Sequence, residues 1–125
     1  MAAVFLIADD SAGKRMLLTS FLKHAQWTVP ILTATTTEEA MELIDTTEDI
    51  RWAFVDYQIP TKNGPAIIRH LKEKFPQAHV ALVSAMEGRD LEDTAKAAGA
   101  EACVCTSRPE DEVMIALSDL LHRWR

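Results

Sequence analysis

The sequence predicts a doubly wound α/β fold built on a five-stranded parallel sheet. Three observations carry this expectation. Short apolar runs alternate five times with segments of helical period. The runs end on polar residues: Asp9 and Asp10, Asp56, Ser84 and Thr106. No linker, repeat or low-complexity tract divides the 125 residues. Strands that alternate with helices form a parallel sheet covered on both faces, and right-handed crossovers leave few ways to connect it.

The elements follow in order. Val4 to Ala8 is a short apolar run suited to a buried strand, and Ser11 can cap the helix after it. In that helix Leu17, Leu18, Phe21, Leu22 and Ala25 recur at helical spacing. Val29 to Ala34 reads as a second strand, with Pro30 marking an edge position. Thr36-x-x-Glu39 is a capping box ahead of Ala40, Leu43 and Ile44. Trp52 to Val55 is the third strand, and a loop with Pro60 and Asn63-Gly64 follows it. Pro65 suits a first helical turn, and Ile67, Ile68, Leu71 and Phe75 form the inward face behind it. Val80 to Val83 is the fourth strand; the next helix has Asp90 as its expected cap and stops at Gly99. Ala102 to Cys105 is the fifth strand. The last helix carries Val113, Leu117, Leu120, Leu121 and Trp124 on one face, with Ser107-x-x-Glu110 as its expected capping box. The expected strand order is 2-1-3-4-5, the flavodoxin-like arrangement, in one domain over residues 1–125.

Composition narrows the function. The net charge of −6 disfavours nucleic acid as a partner, since phosphate binding needs clustered Lys and Arg. No run of 18 apolar residues exists to span a membrane, and the N-terminus lacks the basic start and long apolar core of a signal peptide, so a cytoplasmic protein is expected. Cys103 and Cys105 share one side of a strand and read as buried core thiols; two ligands without a nearby histidine do not make a metal site. His24, His70, His79 and His122 read as surface residues.

In a sheet of this kind ligands gather beyond the carboxyl ends of the strands, where strand order reverses. Asp9, Asp10 and Asp56 fall there together. Three carboxylates repel one another, and a hard divalent cation relieves the repulsion; an open site with few carboxylates suits Mg²⁺. Single aspartates at strand ends also serve as caps and turn residues, so the pattern alone leaves both readings open. A flavodoxin-type cofactor loop would need Ser, Thr and Gly where Asp9-Asp10 would repel a phosphate.

The motifs resemble those of response-regulator receiver domains along the whole chain. Phe5-Leu-Ile-Ala-Asp9-Asp10-Ser11 is similar to their opening, and Val55-Asp56 through Pro60 to Gly64 is similar to their phosphoacceptor segment. Val83-Ser84-Ala85 resembles their switch hydroxyl, and Gly99-Ala100 the turn before their fifth strand. The resemblance implies that Asp56 is the nucleophile that takes a phosphoryl group. It implies Mg²⁺ held by Asp10, Asp56 and the backbone carbonyl of Gln58, with Asp9 acting directly or through water. It implies that Ser84 turns its hydroxyl to the phosphate.

The chain departs from that pattern at two places. The family's lysine after the fifth strand falls on Thr106, which offers a neutral hydroxyl, and Arg108 two residues later is an alternative source of charge. The family's switch aromatic falls on Cys103. The peptide Thr106–Ser107, where the family has a cis proline bond, is expected to be trans. The resemblance thus implies a stand-alone receiver phosphorylated by a histidine kinase or phosphotransfer domain. Its catalysis would be limited to Mg²⁺-dependent self-phosphorylation and self-dephosphorylation. It would signal to a protein partner through the surface of the fourth helix, fifth strand and fifth helix. The alternative is a pseudo-receiver that binds its partner without phosphate.

Overall fold

The computed structural model describes residues 2–125, so the expected domain over 1–125 includes one residue, Met1, outside the described ones. The chain runs β1 (Val4–Ala8), α1 (Ala12–His24), β2 (Ile31–Ala34), α2 (Thr37–Thr46), β3 (Ile50–Val55), α3 (Gly64–Lys74), β4 (His79–Ser84), α4 (Arg89–Ala98), β5 (Ala102–Cys105) and α5 (Glu110–Trp124). All strand pairs are parallel, in the order β2-β1-β3-β4-β5. This is the doubly wound, flavodoxin-like arrangement that the alternation of elements predicts.

The two-residue period of a strand divides the core into two unlike layers. Leu6, Ala8, Ala53, Val55, Val80 and Leu82 face α2, α3 and α4, where their partners are aliphatic: Ile44, Ile67, Ile68 and Leu71 among them. Phe5, Ile7, Trp52, Phe54, Ala81 and Val83 face α1 and α5. Phe5 centres an aromatic cluster there, 4.9 Å from Phe54 and 5.6 Å from Trp27 between ring centroids. Burying one such side chain contributes about 1.5–3 kcal/mol.

Three helices begin with a side-chain cap. Ser11, Thr36 and Asn63 accept from the amides of Lys14, Glu39 and Ala66. The Thr36 box also closes from the other side, with Glu39 accepting from the Thr35 amide at 2.7 Å. The last two helices differ from expectation. Asp90 lies inside the first turn of α4, whose cap is Gly88 at φ 148°, and no side chain caps it. Ser107 does not cap α5, which starts at Glu110 after an extended Pro109. The reason is local: Arg108 precedes a proline, which pushes it out of helical geometry, so the helix cannot begin there. Glu110, Asp111 and Glu112 instead place negative charge on the first turn, where the helix dipole favours it.

Other corrections concern burial. In α1 Leu18 and Leu22 are buried, but Leu17 is 42% exposed. Phe75 is only partly buried at the end of α3. Pro30 precedes β2 rather than lying in it, and its carbonyl accepts from the Phe5 amide at 2.9 Å. Cys103 and Cys105 do share one side of β5 but are half-buried rather than core residues. Their strand is an edge, and the helix over that side, α4, buries only Ala95 and Ala98. His24 and His122 are exposed, whereas His70 and His79 are half-buried against Asp45 and Glu101.

Candidate functional site

β1 and β3 lie side by side at the middle of the sheet, with Ala8 opposite Val55. The ladder continues one residue past the strands: the Asp56 amide donates to Ala8 and the Asp9 amide to Ala34, each at 2.9 Å. This carries Asp9, Asp10 and Asp56 to one place, with a carboxylate oxygen of each within 4.8 Å of the others. Asp9 and Asp56 are buried and Asp10 is exposed.

The loop after Asp56 is braced on both sides. The Gly64 amide donates to the Tyr57 carbonyl at 2.8 Å, and a Cβ at Gly64 would overlap the carbonyl oxygen of Asp56, so only glycine lets α3 start this close. Buried Thr37 anchors the tip: its amide donates to the Pro60 carbonyl, and its hydroxyl accepts from the amides of Thr61 and Lys62. Gln58 sits in this braced loop and lines an open hollow together with Asp10.

Ser84 ends β4 and is 2% exposed, its hydroxyl accepting from the Met86 amide at 3.2 Å. Its carbonyl accepts from the Thr106 amide at 2.8 Å, which sets Thr106 beside it. Among the described residues the one cis peptide is Pro60–Thr61, so Thr106–Ser107 is trans as expected. Arg108 is exposed and pairs with Glu87 at 3.0 Å and, more loosely, with Glu112 at 4.0 Å. A cavity of about 240 Å³ lies between α4, β5 and α5, lined by Cys103, Cys105, Leu91 and Val113 among others.

Sequence reasoning missed Lys14. Its ammonium stands 2.8 Å from Asp9 Oδ2 and 3.1 Å from Asp56 Oδ1, and donates to the Val83 carbonyl at 2.9 Å. One local signal was available: a lysine in the first turn of a helix lies at the wrong end of the dipole, and α1 has no acid there to offset it.

Asp9 shows the strain of the cluster. Its Oδ1 accepts from the Ser11 amide at 2.9 Å. Its Oδ2 is buried and pairs with the Lys14 ammonium at 2.8 Å. Burial pushes the Asp9 carboxyl above its ordinary 3.8, the Asp56 charge adds to this, and Lys14 and the Ser11 amide pull the other way. Two buried carboxylates and an exposed third, with an oxygen of each within 4.8 Å of the others, form an all-oxygen donor set that fits a hard divalent cation.

A doubly wound sheet with an acidic pocket at its switch point defines an α/β domain whose ligand site lies beyond the strand ends. The comparisons narrow it. The sequence profile of the response regulator receiver domain matches residues 5–117, and the chain belongs to that family. Solved structures agree in fold. The CheY-like receiver domain protein of Methanospirillum hungatei JF-1 superposes with a TM-score of 0.80 at 17% identity, over 99% of this chain and 97% of that one. The CheY of Borrelia burgdorferi, in its complex with CheX, BeF3 and Mg²⁺, gives 0.78 at 21% identity, over 96% and 88%. A response regulator of Burkholderia pseudomallei with a phosphorylated aspartic acid and a calcium ion gives 0.73 at 17%, over 97% and 71%. No curated protein sequence gives a significant match. Receiver domains bind a divalent ion in an acidic pocket and interact with kinases and downstream partners, and the family implies two-component signalling. Among the described residues no helix is long and apolar enough to cross a membrane.

Proposed function

We propose that residues 1–125 act as one phosphoreceiver, with Asp56 as the acceptor of a phosphoryl group from a histidine kinase or phosphotransfer domain. The observation that carries this reading is the meeting of Asp9, Asp10 and Asp56 within 4.8 Å at the end of two adjacent strands. An Asp56 carboxylate oxygen attacks the phosphorus of a phosphohistidine; the P–N bond breaks, and the imidazole keeps the electron pair and takes up a proton from solvent. Asp9, Asp10, Asp56 and the Gln58 carbonyl would hold Mg²⁺, which supplies charge neutralisation for the transferring group. The Ser11 amide and the Arg15 guanidinium orient Asp9, the first through Oδ1 and the second through the backbone carbonyl. Gly64 and Thr37 hold the Asp56 loop in shape. Ser84 exchanges its bond with the Met86 amide for one to the phosphoryl oxygen, which couples the site to the loop leading into α4. The output is partner binding at the surface of α4, β5 and α5.

Incubation with Mg²⁺ and acetyl phosphate, followed by intact mass, tests the reading. Gain of one phosphoryl group supports it. A phosphate-independent interaction module is the second reading, favoured by Thr106 and Cys103 in place of the family's lysine and aromatic. It becomes the better account if no donor transfers phosphate and Asp56→Ala leaves partner binding intact.

A further inference from the structure

The family's lysine is absent at position 106, yet the pocket contains an ammonium. Lys14 reaches it from α1. The Ser11 cap fixes its backbone, with the Lys14 amide donating to Ser11 Oγ at 3.2 Å. Its side chain, 13% exposed, then folds back over the strand ends. There it touches Asp9 on β1's end, Asp56 on β3's end and the carbonyl of Val83, the residue before Ser84. No other lysine or arginine among the described residues pairs with Asp56; Arg108 is engaged by Glu87 and Glu112.

We propose that Lys14 is the cation that pairs with the phosphoryl oxygens on Asp56, delivered from the first turn of α1 instead of from the end of β5. The inference rests on the phosphoreceiver reading. Without phosphate, the ammonium is an internal counter-charge for Asp9 and Asp56. On phosphorylation, Asp56 gains oxygens that project from the pocket, and a flexible four-carbon stem lets the ammonium follow them. The position also explains a lysine at an unfavourable end of a helix: three polar partners outweigh the local dipole.

The test uses Mg²⁺ alone and Mg²⁺ with beryllium trifluoride, a phosphoryl mimic, on wild type and three variants. Calorimetry reads the metal and fluorine NMR reads the mimic. Lys14→Met is expected to bind Mg²⁺ alone at least as tightly as wild type, because a competing cation has left. The same variant should bind beryllium trifluoride about tenfold or more weakly, as expected for loss of a charge-assisted hydrogen bond. A role in shaping the pocket would weaken both together, and that outcome overturns the inference. Unchanged mimic binding in Lys14→Met also overturns it. Thr106→Lys should rescue Lys14→Met but add little to wild type, where the cation is already supplied. Thr106→Lys alone remains informative even if Lys14→Met fails to fold: a gain of about tenfold or more means wild type lacked the cation, and the inference is wrong. If wild type binds no mimic and takes no phosphoryl group, the phosphoreceiver reading itself fails and this inference falls with it.

Discussion

The half of the molecule around β1 and β3 and the half around β4, β5, α4 and α5 are built to different standards. In the first, the strands are buried almost end to end, and α1, α2 and α3 each start with a side-chain cap. The loop after Asp56 is pinned by Thr37 and by the close approach of Gly64. In the second, β4 is buried but β5 shows only Val104 as a buried residue, neither helix has a side-chain cap, and a cavity separates them. The difference places rigidity where three carboxylates must be held against their own repulsion. It places looseness at the surface proposed above for partner binding. Regions with few buried contacts open at the lowest cost.

The sharpest test of the first half is chemical. Asp56→Asn should abolish phosphoryl gain from acetyl phosphate in intact mass, while Cys105→Ser, on the looser side, should leave it. Persistent labelling of Asp56→Asn would remove that residue from its role.

Stability should divide along the same line. Phe5 is fully buried at the centre of the aromatic layer, so Phe5→Ala should cost about 3–5 kcal/mol in urea unfolding. A loss no larger than that of a surface change would show that the first half is not the rigid one.

Charge in the rigid half gives a pH signature. The Asp9 carboxyl lies above 3.8 in the folded protein, so the folded state holds that proton more tightly than the unfolded chain. Its unfavourable contribution is absent below the unfolded value and grows as pH rises through the folded one. In metal-free buffer, Asp9→Asn should therefore gain stability relative to wild type between acid and neutral pH. A constant offset across that range would contradict the assignment, and Mg²⁺ should narrow the gap.

Caps come next in size. Asn63→Ala removes the acceptor for the Ala66 amide and should cost about 1 kcal/mol. No equivalent loss is available at α4 or α5, so Ser107→Ala should change stability far less; equal losses would erase the contrast.

The smallest effect is expected at β5. Cys103→Tyr places a ring beside an existing cavity, and thermal unfolding should shift little, because space is present rather than created by overpacking. Burial and the charge of Glu92 also raise the Cys103 thiol above 9.0, so it should alkylate slowly for a half-exposed cysteine.

The sequence by itself determined the parts of this protein that depend on short-range pattern. A period of two in Phe5–Ala8 and Trp52–Val55 sorts side chains to opposite faces wherever the strand lies. Ser11, Thr36 and Asn63 cap helices through bonds three residues long. Asp9, Asp10, Asp56, Ser84 and Thr106 were placed by strand ends alone. The start of α5 departs from the Ser107-x-x-Glu110 expectation, because a residue before proline is disfavoured from helical geometry and Arg108 precedes Pro109. Only the tertiary structure decided what lies across strands. Lys14 reaches a carbonyl 69 residues away, and no local period encodes that distance. The half-exposure of Cys103 and Cys105 depends on how small the buried residues of α4 are, not on β5 itself. Burial and charge in a parallel sheet are set by which elements stand next to each other, and the crossovers that bring them together leave no mark at the residues they join.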